Sequence, residues 1–288
     1  MVDGRDRDSD MNVADRPVLG GIRAVSFVVP ELAAATTPYV MHLGYQVVAE
    51  SRLTEERSAA MGAPALAGCA VRTLGPASGE AVFLHFIEVA GAVPPPALTT
   101  HGWNATEFVV QDVDGLAARL ADDPAFTIIG PPASLTRFPM IRAMQVLGPC
   151  GECLYFTQVG PGSGLALAEA RSFVGRVFIV VAGGADLAAM FAAYAGFGNA
   201  TDPPVATPVR VISAANGLPP ETLHPHGLIK LAEGTMIELD GYPPGTRARR
   251  PVVGTLPPGM AMVSVAADRD EIRRGGAGEL LELVRETA

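Results

Sequence analysis

One pattern recurs four times along the chain and limits what it can fold into. An apolar run alternating at period two passes directly into an alanine-rich run of helical spacing. The four segments are RAVSFVVPELAAATTPYVMHLGY (23–45), ATEFVVQDVDGLAARLADD (105–123), RVFIVVAGGADLAAMFAAYAGFG (176–198) and MAMVSVAADRDEIRR (260–274). A repeat of this kind means supersecondary units that bury their faces against one another. In the first three units more strands follow the helix. The last strand of each is announced by a turn glycine, in SGEAVFLHFIEV, CGECLYFTQV and EGTMIELDGY. A Gly-containing turn before an apolar alternating run is hairpin chemistry. The plan is β-α-β-β-β, repeated. The fourth unit is short: after MAMVSVAAD, the stretch ending in DEIRRGGAGELLELVRETA supplies only a helix, so either this unit is incomplete or strands from a partner chain or an earlier loop complete it.

Linkers fall at 91–102 (GAVPPPALTTHG) and 160–172 (GPGSGLALAEARS), with a weaker break at 241–259. The expected organisation is a polar, disordered leader over residues 1–18, a paired domain over 20–160, and a second, shorter domain over 173–288. The leader lacks an apolar segment of the secretory type. No run approaches a membrane span. The formal net charge is −9, and no basic cluster carries interleaved aromatics, which argues against nucleic acid. Three cysteines in 288 residues suit a reducing, cytoplasmic location. Cys150 and Cys153 form a C-x-x-C, but Gly151 and Glu152 read as a turn before a strand. Redox motifs place that pair at a helix start.

The junction segments FVVPEL, FVVQDVD and IVVAGGAD, with the closing strands GECLYF and GTMIEL, resemble those of the vicinal oxygen chelate superfamily. That group includes glyoxalase I, bleomycin-resistance proteins and extradiol dioxygenases. The resemblance covers about residues 20–270 and implies an α+β fold in which paired β-α-β-β-β units make a curved sheet that cups a ligand. It also implies metal ligands early in the first strand and in the closing strand, four residues after the turn glycine. Carried over by register, those positions read Ala24, Ala105, Arg176 and Met260, then Phe83, Tyr155 and Glu238. Only Glu238 is an ordinary ligand, and an Arg176–Glu238 ion pair accounts for it without a metal. No cofactor is expected. If a divalent Fe, Mn, Ni or Zn ion is bound, His85, Glu107 and Glu238 are the candidate ligands.

Alternation puts Phe83, His85 and Ile87 on one face of their strand, Glu107 and Val109 on one face of theirs, and Tyr155 and Thr157 on another. If the first two units pair, these residues line one cup, with Trp103 at its rim. His85 is then a candidate base, Glu107 its orienting carboxylate and Tyr155 an oxyanion donor. Phe83, Ile87, Trp103, Val109 and Thr157 are candidate ligand contacts. The plainer reading is a core histidine neutralised by a nearby acid. The function expected is small-molecule binding, or metal-independent catalysis on an apolar, aromatic or carbonyl-bearing ligand, in a chain that could form a homodimer. The alternatives are a metal-dependent lyase, isomerase or extradiol-type dioxygenase, and a sequestering resistance-type protein.

Overall fold

The computed structural model describes residues 18–161, 163, 166–249 and 253–286. The expected leader, apart from Val18, lies outside them. Unit one comprises β1 (Ile22–Val29), α1 (Leu32–Pro38), β2 (Gln46–Arg52), α2 (Glu55–Ala60), β3 (Ala70–Gly75) and β4 (Phe83–Glu88). Unit two comprises β5 (Thr100–Val110), α3 (Val113–Leu120), β6 (Thr127–Ser134), β7 (Ile141–Leu147) and β8 (Cys153–Val159). Unit three comprises β9 (Val174–Gly184), α4 (Leu187–Tyr194), β10 (Val205–Pro208), α5 (Arg210–Ala215), β11 (Leu223–Lys230) and β12 (Met236–Gly241). A short β13 (Arg247–Ala248) precedes unit four, which is β14 (Gly259–Ala267), β15 (Glu271–Arg274) and β16 (Leu280–Arg285).

The repeated junctions have a local cause. Each opens a helix with an acidic cap: the Glu31 carboxylate accepts from the Ala33 and Ala34 amides, Asp112 from Gly115 and Asp186 from Ala189. A side chain that satisfies the first free amides fixes where strand gives way to helix. The turn glycines Gly79, Gly151 and Gly234 all adopt positive φ, which side chains with a Cβ resist.

The units do not pair as the sequence order suggests. Strands run β15-β16-β14-β1-β4-β3-β2 in one sheet and β10-β11-β12-β9-β5-β8-β7-β6 in the other. Unit one therefore joins unit four through antiparallel β1 and β14, and unit two joins unit three through antiparallel β5 and β9. The expected pairing of the first two units is corrected by this topology. Strand length supplies a physical reason: β5 and β9 are both eleven residues long, and both are buried along their length except at His101. Each matches the other in length better than either matches β1, which has eight residues.

The fourth unit is also corrected. Its terminal stretch is a hairpin, not a helix, turning at Gly278 with φ of 82°. Leu280–Arg285 pairs with β14 and buries Leu280, Leu281 and Leu283. The chain thus supplies its own last strands, and no partner is needed to extend β14. The mixed α+β architecture with curled sheets is as expected.

The helix-bearing faces of the two sheets share one core. Equivalent rings recur in the repeat. Phe27 stacks on its register partner Phe86 at 5.2 Å between centroids, and Phe108 on Phe156 at 5.4 Å. Buried tyrosines tie the units together. The Tyr39 hydroxyl donates to Glu152 Oε1 at 2.7 Å, Tyr45 to the Gly175 carbonyl at 2.8 Å and Tyr194 to Glu279 Oε1 at 3.0 Å. Trp103, 1% exposed, donates Nε1–H to the Leu280 carbonyl at 2.6 Å. It is a tie between the sheets, not the ligand rim expected from its linker position.

Two outcomes check this arrangement. Trp103→Phe orphans a buried carbonyl and should cost about 1–3 kcal/mol in urea unfolding. A fragment of residues 20–160 should give no cooperative thermal transition, because it contains two units that belong to different sheets. A sharp transition in that fragment would contradict the observed pairing.

Candidate functional site

The concave face of the second sheet carries the strongest unbalanced chemistry. Glu107 sits on β5, in register with Tyr155 on β8 and Ile179 on β9. Alternation directs Phe108 and Val110 into the shared core, while Ala105 and Val109 join Cys153, Tyr155, Val181 and Tyr242 on the concave side. Glu107 is 8% exposed, and the Thr157 hydroxyl donates to its Oε1. Burial, with a contribution from the Glu238 carboxylate, pushes its carboxyl up to about 8; the Thr157 bond offsets part of this. Glu107 is therefore mostly protonated at neutral pH.

Two further acids stand on β12. Glu238 and Asp240 are two residues apart and share a face. They hydrogen-bond to each other, and both carboxyls are raised, first by burial. A pair of buried acids this close holds a proton between them rather than two negative charges. The closing-strand rule that yields Glu238 also yields Asp240 and Tyr242 at period two, in GTMIELDGY, so both were within reach of the sequence. The helix α5 packs on this side, where Val211 and Ile212 join the same buried cluster. Ser213 Oγ pairs with His224 Nε2 at 2.9 Å, and Asn216 Nδ2 donates to the Leu98 carbonyl at 3.1 Å.

His85 lies in the other cup. Its register partners are Ser26 on β1 and Thr73 on β3, and its Nδ1 pairs with Thr73 Oγ1 at 2.9 Å. Phe83 and Ile87 flank it on the same face. Burial holds the imidazole below its ordinary pKa, with Glu282 and Arg57 acting in opposite directions. Glu282 is itself bound by Arg57 and accepts from Ser264 Oγ at 2.5 Å. Met61, Ala63 and Leu66, from the α2 region, pack with Ile87 and Val28 into part of this cup.

The sequence thus gathers residues that the fold separates. Glu107, Val109, Tyr155 and Thr157 do share a cup. His85, Phe83 and Ile87 share a different one, and Trp103 is in neither. The His85–Glu107 dyad is corrected, because its members belong to different sheets. Arg176 does not meet Glu238 either. An irregularity between β5 and β9 shifts the register, so Val177 and Val180 turn to the shared core. Arg176 instead bonds Glu233, through Nη1 to Oε2 at 3.1 Å and through Nη2 to the carbonyl at 2.6 Å, with Glu80 3.4 Å from its Nε. Cys150, pushed up to about 12 by burial, and the more deeply buried Cys153 both stay thiols.

The donors do not fit the metal pattern that the resemblance implies. Ala24, Ala105 and Met260 offer no ligating side chain, and Phe83 and Tyr155 stand at two closing-strand positions. Among the described residues no three His, Cys, Asp or Glu side chains stand at ligating spacing.

Two measurements test the separation of the cups. The His85 imidazole should titrate by NMR below its ordinary midpoint of about 6.5, unmoved by Glu107→Gln. The stability effects of His85→Gln and Glu107→Gln should add to within about 0.5 kcal/mol. A coupling well above that would restore the dyad.

No family model matches the chain, and no curated protein sequence matches it. Solved structures do. Glyoxalase I from Zea mays superposes with a TM-score of 0.61 at 12% identity, over 92% of this chain and 92% of that one. A putative dioxygenase from Bacillus subtilis subsp. subtilis str. 168 superposes with a TM-score of 0.61 at 14% identity, over 94% and 86%. No helix among the described residues is long and apolar enough to cross a membrane. At these identities the likeness is one of fold alone, the fold that this chain shares with glyoxalase I and the putative dioxygenase.

Proposed function

We propose that the cup of units two and three binds a small apolar molecule, aromatic or carbonyl-bearing, and that Glu107 exchanges a proton with it. The observation that carries this reading is one buried carboxyl on the concave face, hydrogen-bonded by Thr157 and raised to about 8 without a basic partner. Displaced pKa values of this kind concentrate where acid–base chemistry is done. A structural acid is more often paired with a cation.

The roles follow from protonation. Protonated Glu107 donates to a carbonyl or enolate oxygen of the ligand and so acts as a general acid. The Tyr155 hydroxyl is pushed well above its ordinary range by burial and stays protonated, so it supports that oxygen as a neutral donor. Val109, Ile179 and Val181 supply the apolar wall. Water exclusion by α5 strengthens both hydrogen bonds, because little solvent competes for them. His85, Phe83 and Ile87 would serve any ligand of the first cup, independently of this one.

Glu107→Gln is the decisive variant. With a turned-over carbonyl substrate found by screening, kcat/KM should fall by roughly 10²–10⁴, while binding changes little. The wild-type rate should decline as pH rises through about 8, as the acid loses its proton. A pure sequestering protein would instead lose affinity alone. A metal-dependent enzyme would carry a stoichiometric transition metal in elemental analysis, lost on Glu107→Gln.

Stability gives a check that needs no substrate. The unfolded chain releases the Glu107 proton near its ordinary value of about 4.3, whereas the fold holds it to about 8. Between those values the unfolded state binds fewer protons, so stability falls as pH rises, by up to about 1.4 kcal/mol per pH unit. Glu107→Gln removes that loss. Its stability relative to wild type should therefore improve from pH 5 to pH 8 and then level off. A flat difference across that window would show that Glu107 ionises normally.

A further inference from the structure

We infer that the ligand of this cup carries a protonated amine, seated against Asp240, Tyr155 and Tyr242. The inference rests on the reading of the second cup as a ligand site and names the class of ligand. It starts from unmet hydrogen bonds. Among the described residues four buried side-chain polar atoms have no partner: Tyr155 Oη, Tyr242 Oη, Asp240 Oδ1 and Arg176 Nε. Three of the four belong to one place. Asp240 is 2% exposed, Tyr242 6% and Tyr155 9%, and each tyrosine hydroxyl is influenced by Asp240 and Glu238. Buried polar groups are rarely left unpaired, and three together point to a missing group.

What is missing can be argued from charge and valence. All three orphans can accept a hydrogen bond. The acids around them are Glu107, Glu238 and Asp240, with Cys153 also near. The bases nearby are spent or peripheral. The Arg249 guanidinium faces Tyr242 but donates to the Met260 carbonyl at 2.6 Å, to the Trp103 carbonyl and to Thr100 Oγ1 at 3.1 Å. His226, opposite Asp240 in register, directs Nδ1 to the His224 carbonyl at 3.3 Å and only partly offsets Glu238. His224 is held by Ser213. No Lys or Arg of the chain hydrogen-bonds Glu107, Glu238 or Asp240 among the described residues.

An ammonium brings three N–H donors and one positive charge, which matches three acceptors and a pair of acids that lacks a cation. The two phenol rings add faces that attract a cation. The backbone is fitted to this arrangement: a Cβ on Gly183 would lie 2.3 Å from the Tyr242 ring, so only glycine lets that ring lie against β9. An ionised carboxylate ligand would add negative charge where three acids already stand, and a metal lacks the converging donors.

Binding should move protons. The Glu238–Asp240 pair holds a proton while the cup is empty. An ammonium lowers the cost of ionising it, so the pair gives that proton to solvent as the amine enters.

Benzylammonium, benzyl alcohol and benzoate, similar in size and differing in charge, provide the test with the full chain near pH 7.5. Benzylammonium should bind at least about tenfold more tightly than benzyl alcohol by calorimetry, with benzoate weakest. Two buffers of different ionisation heat should report proton release for the amine alone. Asp240→Asn should erase the gap between amine and alcohol while leaving alcohol binding, and Tyr242→Phe should narrow it if Asp240→Asn fails to fold. Equal or tighter binding of the alcohol or of benzoate overturns the amine assignment and leaves the cup a ligand site. Binding of none of the three at millimolar concentration overturns both readings.

Discussion

Two antiparallel strand pairs, β1 with β14 and β5 with β9, set everything else in the molecule. Each pair joins two units across the middle of a sheet, so its strands lie between the shared core on one face and a cup on the other. Nearly all of β5, β9 and β14 is buried, and a strand buried on both faces reads as a near-continuous apolar run, as β9 and β14 do. Polar residues on such strands are therefore exceptions with partners. Ser264 donates to Glu282, Thr106 reaches the Met260 sulfur, and Arg176 leaves the sheet end for Glu233 and Glu80. Glu107 is the exception whose only hydrogen-bond partner among the described residues is a neutral hydroxyl.

Much of the fold was legible because the repeat is written locally. The caps at Glu31, Asp112 and Asp186 and the turn glycines at 79, 151 and 234 fix unit boundaries from within a few residues. Alternation assigns the faces of β4, β5 and β8 as the structure has them. What is not local was not legible. Four units with one pattern offer no label for which joins which, and the length match of β5 with β9 is the one cue that the residues carry. The shift that turns Val177 and Val180 to the shared core depends on a neighbour from another unit. The terminal hairpin was hidden by a different ambiguity: LLELVR suits a short helix or a strand, and only the positive φ at Gly278 and the waiting edge of β14 decide it. The site suffered from the first of these. Correct faces with the wrong pairing brought His85 and Glu107 together, where the fold holds them in separate sheets.

That separation leaves two cups of one architecture, one balanced in charge and one acidic. In the first, every charge has an answer: Arg57 meets Glu282, Ser264 bonds the same carboxylate, and the depressed imidazole of His85 needs only Thr73. Helical residues around Met61 and Leu66 fill the remaining space. In the second, three acids share a concavity with two phenols and no committed base. The same repeat thus produces one cup that is chemically closed and one that is not.

An unanswered acid cluster works against folding, since burial disfavours each ionised form and the pKa displacement measures that cost. The structure offsets it elsewhere, away from the cup. Trp103 to Leu280, Tyr39 to Glu152, Tyr45 to Gly175 and Tyr194 to Glu279 are all buried bonds between units, and all lie in the core on the far side of the sheets. A fold stabilised on its convex faces can leave its concave face strained. Because β5 contributes Phe108 to that core and Glu107 to the cup, the two faces are fixed by the same backbone. Tight packing of Phe108 against Phe156 and Tyr45 holds Glu107 where its proton stays on near neutrality.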